Sequence, residues 1–339
     1  MLNRMDNLLT FLITGIVIFI FLSGQSFSQI AKGQSKFLGN IIENPIPKDF
    51  AKYWDQVTPE NAGKWSRVEI KKDVYHWSGL DSIYNYALEH GFVFKFHNLV
   101  WGKQQPEWLK NLDSAQQVEQ VKKWIRLSGE RYPKANLVDV VNEPIRTSYD
   151  TAYPPYYKAI GGAGKTGWDW VIWSFKQARK YFPHSKLLIN EYNILSGGKP
   201  INTYIQIINL LKERNLIDGI GIQGHFLEKT DSSKIHSNLK LLEKTGLPIY
   251  ISEYDVNEVD DVAQLKIYKQ QFPIFWKSPD IKGITLWGYL QNRIWRKDAY
   301  LVRKDGTERP ALKWLEKYVK DSNGAGKKNQ NKIKGTSKN

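Results

Sequence analysis

Short apolar runs alternate with amphipathic stretches from Phe37 to Val319. Eight runs read as strands: 36–42 (KFLGNII), 53–57 (YWDQV), 93–101 (VFKFHNLVW), 137–143 (LVDVVNE), 186–192 (KLLINEY), 219–226 (GIGIQGHF), 248–254 (PIYISEY) and 283–289 (GITLWGY). They are short, rich in β-branched and aromatic residues, and bounded by polar or turn residues. Between them, apolar residues recur at helical spacing over 80–90, 115–132, 168–182, 201–215, 232–245, 262–276 and 310–320. Asp231 or Ser232 is placed to cap one of these helices, and Pro310 to open the last.

Strands that alternate with helices build a parallel sheet, and eight units without a break in composition predict closure into a (β/α)8 TIM barrel. An open doubly wound sheet is the alternative; it rarely carries eight units without a second domain. In a barrel the chemistry sits at the carboxyl ends of the strands. Those ends are unusually polar here. Glu60, Asn61, Lys64 and Trp65 follow the second run. His97, Asn98, Trp101 and Gln104 close the third, Asn142 and Glu143 the fourth, Asn190 to Asn193 the fifth. Gln223 and His225 close the sixth, Glu253 and Asp255 the seventh, Trp287 the eighth. Glu143 and Glu253 fall on the fourth and seventh strands, which face each other across a barrel mouth. A lone strand-end Glu is as readily half of a salt bridge. Two, in amide and aromatic company, match the carboxyl pair of glycoside hydrolysis, where one acid donates a proton and the other works ionised. Asn142 and Glu143 are consecutive, so a regular strand would point them to opposite faces. For both to reach one sugar, the strand must be irregular near Asn142–Pro144.

The ends of the chain read differently. Arg4 precedes an apolar run from Leu8 to Leu22 and then SGQSFSQ, the pattern of a signal peptide over 1–28. The run is short for a membrane span. It implies export, to the periplasm, the cell surface or the medium. The barrel is set at 29–320. Residues 321–339 form a basic tail, with five Lys and no acid in NGAGKKNQNKIKGTSKN, expected to be disordered. The whole chain of 339 residues carries a net charge of +15 and no cysteine, which excludes disulfides, thiolate nucleophiles and Cys metal sites. Basic charge without a nucleic-acid motif reads as surface charge.

Seven blocks carry a resemblance, in order: WDQVTPENAGKW, HNLVWGKQQPEW, DVVNEP, LLINEYN, GIGIQGHF, YISEYD and GITLWG. They resemble the glycoside hydrolase family 10 xylanases over roughly Phe37 to Val319. The resemblance implies a retaining endo-1,4-β-xylanase without cofactor or metal, acting on xylan or xylo-oligosaccharides as a monomer with no obligate protein partner and no nucleic acid. It implies Glu143 as general acid and then base, and Glu253 as nucleophile. Asn142 would bond the sugar's 2-hydroxyl, and His225 would hold Glu253 ionised. Lys64, His97 and Gln223 would line the sugar site just before the cut, with Glu60, Asn61 and Gln104 on the next sugar out. Trp101, Trp287 and Trp295 would pack on sugar rings, and Tyr192 is a platform candidate on the leaving-group side. Three positions depart from the family: Gly102 where a second His is usual, Ala62-Gly63 before Lys64, and Glu191 in place of an Asp.

Other readings carry less. GGAGKTG at 161–167 has Ala159 where a phosphate-binding loop needs Gly, and no strand before it; it reads as a flexible part of the loop after the fourth strand. His76, His90, His184 and His236 read as surface residues, and no His pair has metal-ligand spacing. Trp124, Trp173 and Trp276 read as core. A related barrel glycosidase on another β-1,4-glycan, and a sugar-binding barrel with weak catalysis, are the remaining alternatives. Export makes a checkable statement: the mature protein's amino-terminal residue lies near Gln29. A mature chain that keeps Leu8–Leu22 would make that run an anchor.

Overall fold

The computed structural model describes residues 29–145 and 153–335. Among these, eight parallel strands close in sequence order into one barrel. They are β1 (Phe37–Ile42), β2 (Gln56–Pro59), β3 (Val93–Trp101), β4 (Leu137–Asn142), β5 (Lys186–Glu191), β6 (Gly219–Gly224), β7 (Ile249–Tyr254) and β8 (Ile281–Leu286). The helices are α1 (Phe50–Tyr53), α2 (Trp65–Val68), α3 (Ser78–His90), α4 (Ser114–Arg131), α5 (Asp169–Tyr181), α6 (Lys199–Lys212), α7 (Ser232–Glu243), α8 (Asp261–Lys277) and α9 (Pro310–Gly335). The strands are buried on both faces, as a parallel sheet under helices requires. The proposed signal segment lies outside the described residues. The backbone of α9 runs past Lys320, where the sequence reading ends the barrel.

Two strand assignments shift. The run at 53–57 predicts a strand there, but Tyr53 ends the helical turn α1, whose Phe50 and Tyr53 are buried, and the strand begins at Gln56. The apolar run at 283–289 predicts an eighth strand there, but the strand spans Ile281–Leu286; Trp287 leaves the sheet to line the cleft, and Tyr289 packs on Phe50 and Trp54. Gly288 makes that exit with φ +108, and an added Cβ would lie 2.6 Å from Ile294. The glycine loop before α5 is held rather than loose. Asp169 accepts hydrogen bonds from the Lys165 and Thr166 amides at 2.9 and 3.2 Å. Gly164 is required there, since a Cβ would sit 1.8 Å from the Asp169 carboxylate.

Aromatic residues build much of the shell. Trp65, Trp124, Trp77 and Tyr75 stack as a column, with ring centroids 5.4, 5.6 and 5.6 Å apart. Trp124 and Trp276 are buried, and Trp173 packs against the core. His76, His90, His184 and His236 are exposed. Inside the barrel, polar residues pair with each other: Thr285 donates to Gln56 at 2.8 Å, and Gln56 donates to Thr58 at 2.8 Å.

One buried cation fastens the loops above β7 and β8. Arg309 is fully buried. Its Nε donates to Asp261 at 2.6 Å, its Nη1 to the carbonyls of Asp298 and Tyr300, and its Nη2 to those of Glu258 and Val259. Truncation strands the Glu258 and Val259 carbonyls, while Arg303 still pairs with Asp261 and Gln264 still donates to the carbonyls of Asp298 and Tyr300. Arg309→Ala is expected to cost about 2–4 kcal/mol, from buried carbonyls left without a donor, read as a fall in ΔG of denaturant unfolding. A loss below about 1 kcal/mol, the range of an exposed ion pair, would refute the clamp.

Candidate active site

Strand register assembles the site. Pairing sets Trp101 beside Asn142, Asn142 beside Asn190, and Gln223 beside Glu253. The pairing also slips: between His97 and Val100 on β3, between Asp139 and Val141 on β4, and between Ile222 and Gln223 on β6. Such slips re-aim side chains at barrel rims. The peptide His97–Asn98 is cis. The irregularity expected at the end of the fourth strand is there, in two parts. The slip lies upstream at Asp139–Val141, and Glu143 itself stands in the left-handed region with φ +52. Its amide still donates to the Asn190 carbonyl at 2.8 Å. Asn142 and Glu143 consequently line the same cleft.

That cleft holds about 440 Å³ at the mouth of the barrel. Of the residues expected there, Glu60, Lys64, His97, Trp101, Asn142, Glu143, Tyr192, Gln223, His225, Glu253, Trp287 and Trp295 line it. Asn61 and Gln104 do not. Asn61 accepts from Lys64 at 2.9 Å and donates to Glu43, so it sets the Lys64 ammonium from behind. Gln104 lends its carbonyl to the Ser66 amide at 3.1 Å, tying the β3 loop to α2. Lys103 and Phe226 line the cleft without having been singled out. A hollow of about 760 Å³ opens at the amino-terminal end of the barrel, far from either strand-end carboxylate.

Glu253 is almost wholly buried and bonded on both oxygens. Asn190 donates to one at 2.7 Å and His225 Nε2 to the other at 3.1 Å. His225 Nδ1 donates to Asp255 at 2.7 Å. Asp255 also accepts from Trp295 at 3.1 Å and is paired with Arg296. Burial pushes Glu253 up. The His225 hydrogen bond, with the positive charge of the His97 and His225 side and of Lys95, outweighs it and brings the group down to about 2. Burial pushes His225 down, and Asp255 and Glu253 together outweigh that and lift it to about 9. The imidazolium between two carboxylates is the charged state that lets His225 donate at both nitrogens.

Glu143 is held differently. Trp101 Nε1 donates to one oxygen at 2.9 Å and Gln223 Nε2 to the other at 3.1 Å. Asn142 accepts from Asn190 at 2.7 Å, which commits its oxygen and leaves its Nδ2 to donate into the cleft. Lys64 stands 5.2 Å over the Trp101 ring. Burial and the nearby Glu43 charge raise Glu60 to about 7. Beneath the cleft, Asp139 takes His97 Nδ1 at 2.9 Å and Lys95 at 3.2 Å. The departures from the expected pattern have local causes. A Cβ on Gly63 would lie 2.5 Å from the His97 carbonyl, so a bulkier residue cannot enter this backbone. Glu191 is buried and accepts from the Ile145 and Tyr192 amides at 2.8 and 2.9 Å. Burial holds its carboxyl well above the usual range. Asn190 and Asp255 were visible as strand-end polar residues, though not as site residues. Arg296 lies in the irregular segment between β8 and α9 and gave no signal.

The family model described as Glycosyl hydrolase family 10 matches residues 24–318. Endo-1,4-beta-xylanase B of Cellvibrio japonicus is 38% identical over 283 residues, 83% of this chain and 45% of that protein. The chain thus spans less than half the length of that relative. Endo-1,4-beta-xylanase A of Caldicellulosiruptor saccharolyticus is 30% identical over 283 residues, 75% of this chain and 81% of that protein. The solved structure of native xylanase 10B from Thermotoga maritima superimposes with a TM-score of 0.76 at 23% identity, covering 87% of this chain and 99% of that one, and shares the fold.

The charge state of His225 sets a pH window. Its folded value lies above the ordinary 6.5, so its contribution is complete below pH 6.5 and is lost as pH rises through about 9. Glu253 is depressed, so its contribution is complete above the ordinary carboxylate range and is lost as pH falls through about 2. An NMR titration of the His225 ring is expected to keep the imidazolium up to about pH 9. A ring that titrates near 6.5 would overturn the bridging arrangement.

Proposed function

The chain belongs to glycosyl hydrolase family 10, and on that premise we propose that it is a retaining endo-1,4-β-xylanase with Glu143 and Glu253 as its catalytic pair. The observation that carries this reading is the asymmetry of the two carboxyls in one cleft. Glu253 is buried and kept ionised by His225. Glu143 hangs at the strand end between an indole and an amide.

The steps follow. The Glu253 carboxylate attacks the anomeric carbon while the bond to the leaving oxygen breaks, and Glu143 gives its proton to that oxygen. A glycosyl ester on Glu253 results. Water then attacks the same carbon, Glu143 takes the water's proton, and the Glu253 carboxylate is released. Two inversions leave the configuration unchanged. Asn142 donates to the 2-hydroxyl of the reacting sugar, its amide oriented by Asn190. The wall formed by Glu60 and Lys64 after β2 and His97 on β3 takes the sugars before the cut; Trp101 and Trp287 pack on their rings. The Asn142 hydrogen bond strengthens when charge develops on the ring, which is how it speeds the reaction. The rest of the biological reading is also proposed: export by the segment over 1–28, and a free monomer acting on xylan outside the cytoplasm.

A retaining pair has its carboxyls about 5–5.5 Å apart. NMR of the hydrolysis of xylohexaose is expected to show the β-anomer first; the α-anomer first would refute retention. Glu253→Ala should abolish turnover, and azide should restore a product of inverted configuration. Glu143→Gln should slow xylo-oligosaccharides far more than aryl glycosides with good leaving groups. Equal losses on both would remove Glu143 from the acid role.

A further inference from the structure

Phe226 is not accounted for by the reading above. It is the residue after His225, where the chain leaves β6. It is 53% exposed, large and apolar, at the rim of a cleft that it lines. Its backbone stands at φ +58, in the left-handed region. That region is costly for a bulky residue and is usually filled by Gly, Asn or Asp when only a turn is needed. The next residue, Leu227, is buried, and its carbonyl accepts from Gln271 at 2.7 Å, so the turn is anchored from below. The ring is held as well. The Arg296 guanidinium lies 4.4 Å from its centroid, and Trp295 meets it edge-on at 5.9 Å and 81°. Arg296 is itself fixed by Glu228 at 2.8 Å and by Asp255. A cation covers one face of an exposed, rigid aromatic ring, and the remaining surface opens on the cleft.

We infer that Phe226 is a sugar-stacking platform for the xylan chain on the leaving-group side of the cut. The side follows from the ring order of the strands and rests on the reading that β2 and β3 hold the sugars before the cut. In a closed barrel ordered β1 to β8, β6 lies on the wall opposite β2 and β3. Tyr192, after β5, lines the same wall. A flat apolar face beside a polar cleft suits the C–H face of a xylose ring, which a lone hydrogen-bonding side chain would not hold. Arg296 ties this platform to the catalytic carboxylate: it pairs with Asp255, which holds His225 on Glu253.

The test separates binding of the leaving chain from the chemistry. Phe226→Asn removes the ring and places a residue that tolerates the left-handed backbone, so Tm is expected to hold or rise. Phe226→Trp keeps a flat face. Both are compared with wild type on xylohexaose, which fills the leaving side, and on β-xylobiosyl fluoride, whose leaving group is one atom. The platform predicts that Phe226→Asn lowers kcat/KM on xylohexaose about five- to tenfold and leaves the fluoride within about twofold. Phe226→Trp should stay near wild type on both. Equal losses on the two substrates would mean that Phe226 acts only through Arg296 and Asp255, and would overturn the platform. So would unchanged kinetics on xylohexaose. A wild-type protein that leaves xylohexaose intact while cleaving another β-glycan would instead refute the xylanase reading beneath it.

Discussion

A buried carboxylate that must stay ionised is the constraint on which this structure turns. Burial opposes the charge on Glu253, and the nucleophile role proposed for it needs the ionised form. The barrel answers with a donor on each oxygen: Asn190 and His225. His225 can serve only as an imidazolium, because its other nitrogen must donate to Asp255. Asp255 in turn needs cations and donors of its own, which Arg296 and Trp295 bring from the loop above β8. A second buried cluster, Lys95, His97 and Asp139, adds positive potential under the same floor. Removing His225 takes the charged partner from Glu253 and one of two from Asp255, both buried where water cannot replace it.

Such a network needs its members at fixed positions, and parallel pairing supplies them. Asn142 meets Asn190, and Gln223 meets Glu253, because their strands are in register there. Local slips add a residue on β3, β4 and β7 and so re-aim the side chains that follow. Glu143 gains its position from a left-handed residue just past β4. The loops are held by the same means at larger scale: Arg309 gathers the segments after β7 and β8, which carry Asp255, Trp295 and Arg296.

The aromatic supply divides by the same logic. Trp65, Trp77 and Trp124 stack behind the barrel wall, where flat rings fill volume without a polar burden. Trp101, Trp287, Trp295 and Phe226 stand at the mouth, where they line the cleft rather than fill the core. In a barrel these two environments are only a few residues apart along one strand, so burial alone does not tell them apart. Direction along the strand does.

Alternation of apolar runs with helical spacing was enough to specify the eight-stranded barrel, and strand-end polarity was enough to single out Glu143 and Glu253. Both signals are local: period and position within a run survive without knowing any long-range contact. Errors arose where local pattern and three-dimensional role diverge. Tyr53 and Trp54 look like a strand because they are apolar, but they are buried by a helical turn packing on the barrel. Asn61 and Gln104 sit in the right blocks yet lie outside the cleft lining, and the Asn61 amide is taken by Glu43 and Lys64. Arg296 had no periodic context at all, and Phe226 closed the sixth apolar run as an ordinary hydrophobic residue. The side-chain types and their order along the chain lie in the sequence; the charge state of Glu253 and His225, the direction of Glu143 and the holding of Phe226 are set by tertiary structure. Those properties depend on partners from other strands and loops, at distances that only closing the barrel fixes.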